Sequence, residues 1–305
     1  MEPFKVHVLG CGSAKPTTRH YASSQVVELR GRVFMVDCGE GTQIQLRRTK
    51  VRFTRLKAVF ISHLHGDHCF GLIGLICSFA LSGRKVPLHI YAPIELKRLL
   101  DDMLAMFAAN LEFEVAFHPV DTTVSQVIYE DSAVTVSTLP LQHRIPCCGY
   151  LFREKPTLPH IRRDMIDFYH IPMSKIMDIK MGADWTDEEG HVVDYSRLVT
   201  VADPTRAFAY CSDTRYIPDL HQLIEGVNLL YHESTYDECH KDLAEAYCHS
   251  TAAEAAKVAL QAKAHHLLLG HYSSRYNDES LLLEEARRIF PNTTLAQEGL
   301  VVDVV

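Results

Sequence analysis

Apolar positions fall into two blocks of short, β-branched runs, each followed by stretches of helical spacing. In the first block FKVHVLG (4–10), SQVVELR (24–30) and RVFMVDCG (32–39) are bounded by glycines, which predicts three strands. Gly31 alone separates the second from the third, the spacing of a tight hairpin. A short helical stretch is expected at 43–48, and LKAVFISH (56–63) has the character of a buried strand that ends at a functional loop. GLIGLICSFALSG (71–83) is apolar enough for a buried helix. LHIYAP (88–93) is a further strand, and Pro93 opens a helix through IELKRLLDDMLAMF.

The second block resumes with FEVAFHPV (113–120), QVIYED (126–131), AVTVSTLPLQH (133–143) and CGYLFRE (148–154). Strands are predicted again at AFAYCSD (207–213), NLLYHEST (228–235) and HLLLGH (266–271). HSTAAEAAKVALQAKA (249–264) is a helix capped by Ser250 or Thr251, SLLLEEARRIF (280–290) is amphipathic, and LAQEGLVVDVV closes with β character. Between the blocks, residues 153–206 keep neither period and are richer in proline, charge and isolated aromatics, which predicts an inserted, partly helical arm. Two strand blocks each followed by helices predict two β-layers with helices outside, an α/β architecture.

Length and composition narrow the class. A chain of 305 residues is long enough for one large domain or two ordinary ones, and 47% hydrophobic with 23% charged residues is a globular composition; one domain spanning 1–305 is the expectation. No apolar run reaches the roughly 18 residues of a membrane span. The opening MEPFKVHVLGCG lacks the basic and apolar regions of a secretion signal. Nine scattered cysteines without a CxxC pair fit a reduced, cytoplasmic protein better than a disulfide scaffold. A net charge of −7 argues against a general nucleic-acid binder. Yet LRRTKVRFTRLK (46–57) holds six cations and no acid, so a local phosphate-binding surface is open to it, as is a solvated basic loop.

The 18 histidines are not equally informative. His63-Leu64-His65-Gly66-Asp67-His68 follows a predicted strand directly and packs three imidazoles and a carboxylate into six residues. So many donors serve two adjacent ions more easily than one, and imidazole with carboxylate suits zinc. His7, His89, His118, His160, His170, His191, His221, His240, His265 and His266 lack such spacing and are expected to be ordinary polar residues.

HLHGDH resembles the HxHxDH signature of the metallo-β-lactamase superfamily, which implies a four-layer αββα sandwich with two metals between its sheets. By that resemblance a first zinc would take His63, His65 and His143, and a second Asp67, His68 and His271. Asp213 would bridge them, giving two Zn²⁺ per subunit. His143, Asp213 and His271 each end a predicted strand.

Six further stretches resemble ribonuclease Z in its short form: GCGSAKPTTRH (10–20), VDCGEGTQIQLRR (36–48), HRIPCCGYLF (143–152), YCSDTR (210–215), HESTY (232–236) and HSTAAEAA (249–256). Two departures are His20, where the family usually has Asn, and Ser212 in place of Gly. The resemblance implies a homodimeric endoribonuclease that removes the 3′ trailer of precursor tRNA, leaving a 3′-hydroxyl on the tRNA and a 5′-phosphate on the trailer. Asp67 would accept a proton from the attacking water. His249 would donate one to the leaving oxygen or hold the phosphate, and Glu233 would orient His249.

Residues 153–206 fall where this family carries an exosite arm that grips tRNA. Arg153, Lys155, Arg162, Arg163, Lys175 and Lys180 supply cations there, diluted by seven acids, and the family's Gly-Pro-rich stretch is missing. The competing expectation is a metal-dependent phosphodiesterase for small substrates, or a 3′-to-5′ exoribonuclease. A non-enzymatic RNA-binding subunit is disfavoured because every ligand position is filled. A thioesterase or lactamase is disfavoured by HESTY and HST. Neither a nucleotide cofactor nor a membrane is expected.

Overall fold

Alternate residues of the first-block strands enter different cores. Phe34 and Val36 join one apolar cluster while Val33 and Met35 join another, and Ala58 and Phe60 divide from Val59 and Ile61 in the same way. A sheet apolar on both faces must be covered on both faces, which is why these strands read as near-continuous hydrophobic runs. The computed structural model describes residues 2–15 and 17–305.

The first sheet runs in the order Val301–Asp303, Phe4–Gly10, Ser24–Leu29, Arg32–Val36, Leu56–Phe60, Leu88–Ala92, Val115–Pro119. Its last four strands are parallel. Arg30 and Gly31 turn the hairpin, both at positive φ (47° and 75°), as a two-residue primed turn requires. The second sheet runs Thr293–Leu295, His266–Gly270, Leu229–Glu233, Ala207–Cys211, Cys148–Glu154, Val134–Pro140, Val127–Glu130. Here the first four strands are parallel.

The sheets face each other through aromatic rings. Phe34 and Phe60 of the first lie 5.8 and 5.5 Å, centroid to centroid, from Phe152 of the second. Helices Leu72–Leu81 and Leu96–Phe107 bury Leu72, Leu75, Ile76, Phe79, Leu96 and Leu100 in the outer cluster of the first sheet. Helices Ala252–Gln261 and Ser280–Ile289 pack beside strand His266–Gly270 and its neighbours. The layers are α, β, β, α, as expected.

Thr251, not Ser250, caps helix Ala252–Gln261. Its hydroxyl accepts the Glu254 N–H while the Glu254 carboxylate accepts the Thr251 N–H, a reciprocal box that contributes about 1 kcal/mol. The helix is shorter than its apolar pattern because residues 249–251 are spent on the cap and its approach. Strand Val134–Pro140 also stops early. Proline donates no ladder hydrogen bond, and the chain turns at once, with the Leu141 N–H on the Cys147 carbonyl. His143 therefore sits on a connection, not on a strand end. The C-terminal β character resolves into two three-residue strands, Thr293–Leu295 and Val301–Asp303.

Residues 154–205 form a compact unit of their own. It contains short helices Arg163–Phe168, Ile176–Lys180 and Tyr195–Leu198 and two two-stranded ladders, around a small core of Ile171, Ile179, Val193 and Leu198. Among the described residues no helix is long and apolar enough to cross a membrane.

The parallel strands aim their carboxyl ends at one edge of the sandwich, the usual place for chemistry in such sheets. Asp37 and His63 follow first-sheet strands there. Asp213, Glu233 and His271 follow or end second-sheet strands. Gly39 allows the loops to close on one another: a Cβ at that position would meet the Asp67 carbonyl oxygen at 2.3 Å and Ala22 Cβ at 2.5 Å.

Candidate metal centre

Seven side chains far apart in sequence converge at this edge. His63, His65, His143 and Asp213 bring one donor atom each within 4.8 Å of one another, and Asp67, His68 and His271 form a second such group. Asp213 faces both. Its Oδ2 lies 3.6 Å from His63 Nε2 and 3.7 Å from His143 Nε2, while its Oδ1 lies 3.3 Å from His68 Nε2 and 3.0 Å from His271 Nε2. Asp67 Oδ2 is 3.4 Å from His68 Nε2 and 3.6 Å from His271 Nε2.

The spacing between nitrogens tests whether these groups fit a metal. His63 Nε2 and His65 Nδ1 are 3.1 Å apart, His143 Nε2 and His65 Nδ1 3.2 Å, and His68 Nε2 and His271 Nε2 3.4 Å. At metal–nitrogen distances of about 2.0–2.1 Å, tetrahedral ligands lie about 3.3–3.4 Å from each other. The opposite ring nitrogens are occupied elsewhere. His63 Nδ1 meets the Ser62 hydroxyl, His68 Nδ1 the Asp37 carboxylate, His143 Nδ1 the Cys248 carbonyl and His271 Nδ1 the Thr235 hydroxyl. Each ring is thus held so that its second nitrogen turns toward the shared centre. Donor type, spacing and orientation all fit a pair of zinc-like ions.

Electrostatics point the same way. Burial pushes the His63, His65 and His143 imidazoles toward the neutral, ligating form. At His68 burial also opposes charge, but Asp213, Asp37 and Asp67 overcome it and raise the imidazole well above its ordinary value. Burial likewise opposes ionisation of Asp67, and the neighbouring His68 and His271 reverse this, holding the carboxyl far below its usual range. Asp213, fully buried among the imidazoles, is lowered as well.

His249 stands beside both groups. Its ring lies 5.0 Å from that of His143 and 5.4 Å from that of His271, centroid to centroid. Its Nδ1 meets Glu233 Oε1 at 2.8 Å, and Glu233 also accepts the N–H groups of Thr214 and Thr235 and the Thr235 hydroxyl. Burial disfavours charge on His249, yet the Glu233 carboxylate outweighs it and pushes the imidazole up to about 9.

Comparison with known proteins decides the family. Over 304 residues, and over the whole of both chains, the sequence is 53% identical to "Ribonuclease Z" of Bacteroides fragilis. The chain belongs to the ribonuclease Z family. The family profile described as anti-Pycsar protein Apyc1 also matches residues 4–290, so the chain falls within that grouping too. Among solved structures, the short form of human tRNase Z superposes with a TM-score of 0.71 at 26% identity, covering 99% of each chain. The metallo-β-lactamase fold protein YhfI of Bacillus subtilis superposes at 0.69 and 20% identity, covering 99% of this chain and 100% of its own, a likeness of fold alone. The chain is thus a metallo-β-lactamase-fold enzyme of the ribonuclease Z kind.

The sequence motifs do not mark one residue at the centre of this ribonuclease Z fold. Asp37 is fully buried, and its carboxylate accepts from the Ser62 N–H and hydroxyl and from the Tyr210 hydroxyl at 2.7 Å, besides meeting His68. Its signal was an acid at the end of an otherwise apolar strand, in VDCGEG. Thr235, within HESTY, links Glu233 to His271. The remaining histidines take ordinary roles: His7 pairs with Glu28, His89 with His118 and His266 with Thr294.

Proposed function

We propose that this enzyme is a zinc-dependent endoribonuclease that removes the 3′ trailer of precursor tRNA. The tRNA would keep a 3′-hydroxyl and the trailer a 5′-phosphate. The observation that carries the reading is the placement of His249, held on the Glu233 carboxylate, beside two donor groups bridged by Asp213. The full-length identity to a ribonuclease Z supplies the substrate class.

His63, His65 and His143 would hold one Zn²⁺, and Asp67, His68 and His271 the other, with Asp213 shared. Two such ions, when bound, lower the pKa of water and neutralise charge on phosphodiester oxygens. Asp67 is ionised at neutral pH and accepts the proton of the attacking water. His249 gives a proton to the leaving 3′ oxygen, and Glu233 fixes its orientation and charge. No 2′-hydroxyl nucleophile is needed.

A groove of about 810 Å³ carries Lys5, His7, Arg48, Lys50, Arg52 and Arg55 along its walls, with Glu28 the one acid. It gives the basic run 46–57 a concave surface suited to phosphates. Residues 153–206 are assigned as the exosite arm that contacts the tRNA body. The nine cysteines are all free thiols, which suits a cytoplasmic enzyme, and the family resemblance supports a homodimer. The test is a comparison of kcat/KM for a precursor tRNA and for bis(p-nitrophenyl) phosphate. The reading requires RNA to be preferred by orders of magnitude. A preference for the small diester would leave a phosphodiesterase in its place.

A further inference from the structure

Asp67 receives a main-chain hydrogen bond from outside the metal centre. The Ala14 N–H donates to its Oδ2 at 2.8 Å, and Ala14 holds φ +60°, a conformation that L-residues adopt only when the surroundings impose it. The surroundings are residues 11–15 and 17–22, between the first two strands. Ser13 N–H donates to the Tyr272 carbonyl and Tyr272 N–H to the Cys11 carbonyl, both at 3.0 Å, so the loop is sewn to the residue after His271. Gly12 N–H closes the loop onto Tyr21 O at 2.9 Å.

His20 lies under this closure. A Cβ on Gly12 would come 2.9 Å from His20 Cβ, so the backbone rests directly on this residue. The ring packs on Tyr272 at 5.5 Å between centroids. Its Nδ1 is 3.1 Å from Glu298 Oε2 and 3.4 Å from Cys11 Sγ, and its Nε2 is 3.3 Å from Glu279 Oε1. Arg19 pairs with the same Glu279 and donates to the Tyr276 carbonyl, and Tyr21 N–H donates to Glu298 Oε1. Two carboxylates thus meet Arg19 and an imidazole with a nitrogen aimed at each. Only the imidazolium donates from both nitrogens and brings the cluster to neutrality.

Cys11, His20 and Glu298 also form a triangle with metal-ligand spacing. Protein partners already satisfy it: the Cys11 thiol has the Ala296 carbonyl and Glu298, and Glu298 has the Tyr21 N–H. The charge balance with Arg19 and Glu279 is complete without a cation.

We propose that His20 is a positioning residue: bridging Glu279 and Glu298, it locks Cys11–Ser13 against Tyr272 and so keeps the Ala14 amide on Asp67. This rests on the reading of Asp67 as the acceptor of the water proton. The hydrogen bond to Glu298 raises the His20 imidazole, against partial burial, with Glu298 and Glu279 adding their charge. The lock is therefore complete below about pH 6.5 and weakens as pH rises through the higher folded value.

The experiment uses metal-loaded enzyme with His20→Asn, and with Glu298→Gln as a second variant that leaves the imidazole in place. Hydrogen exchange is followed across 10–22, and kcat and KM are measured on bis(p-nitrophenyl) phosphate over pH. The lock predicts exchange about tenfold faster or more in both variants. It also predicts kcat lower by about 10- to 100-fold, with KM within about twofold and bound zinc unchanged. The alkaline limb of the wild-type profile that belongs to His20 disappears in His20→Asn. Unchanged exchange, or faster exchange with unchanged kcat, overturns the proposal, as does loss of a third equivalent of metal. Asp67→Ala is run alongside. If it keeps full activity, the reading of Asp67 fails, while the exchange data still decide whether His20 holds the loop.

Discussion

His249 Nδ1 and Glu233 Oε1 lie 2.8 Å apart at the edge of the metal centre, the carboxylate fully buried and further gripped by Thr214 and Thr235. The pair links two sequence motifs 16 residues apart. Its geometry makes a proton on His249 a property of Glu233, because burial alone would remove it.

In metal-free protein the His249 imidazole is expected to titrate near 9 by NMR. The folded value lies above the ordinary 6.5, so the pair's stabilisation is complete below about pH 6.5 and is lost as pH rises through about 9. Glu233→Gln removes the largest raising influence and leaves the burial, with the more distant Asp213 charge still in place. The imidazole should then titrate well below 9, and a value that stays near 9 would refute the pairing.

Asp37 is expected to tune metal affinity without touching metal. It holds His68 through Nδ1 at 2.7 Å and is itself held by Ser62 and Tyr210. Asp37→Ala should weaken zinc retention by about 10- to 100-fold in a chelator competition. Retention equal to wild type would mean that the ring needs no such support.

Asp37 also marks where sequence stops being informative. The run His63–His68 is legible because all its donors lie within six residues at a strand end, and the strand end itself follows from apolar pattern. The paired sheets are legible because strands buried on both faces read as continuous apolar runs. Asp37 gains its meaning only when Tyr210, 173 residues later, reaches it across the sandwich, and no local pattern encodes that contact. The apolar run continues past Pro140 toward His143, while the missing N–H stops the ladder at Pro140, so the pattern places His143 on a strand that ends before it. The short helices and two-residue ladders of 154–205 are too brief for either period to show.

The basic groove is expected to act on RNA through phosphates. Replacing Lys50, Arg52 and Arg55 by Ala, all exposed on the groove wall, should raise KM for precursor tRNA. Each phosphate contact removed should flatten the dependence of log(kcat/KM) on log salt by about one. Activity on bis(p-nitrophenyl) phosphate should stay as it was. An unchanged salt slope would remove this surface from the RNA path.

Deleting 155–205 separates the assigned arm from the catalytic edge. Cleavage of precursor tRNA should fall by orders of magnitude, and hydrolysis of the small diester should persist. Equal loss of both would show that the segment serves the fold, not the substrate.

Endonucleolytic removal of the trailer is tested by cleavage of a 5′-end-labelled precursor tRNA with wild type, wild type plus chelator, and Asp67→Ala. One cut is expected immediately after the discriminator nucleotide, with a 3′-hydroxyl on the labelled product, full loss with chelator, and a rate about 10²- to 10⁴-fold lower in the variant. A ladder of successively shorter products, or uncut RNA while a small diester is hydrolysed, would contradict it.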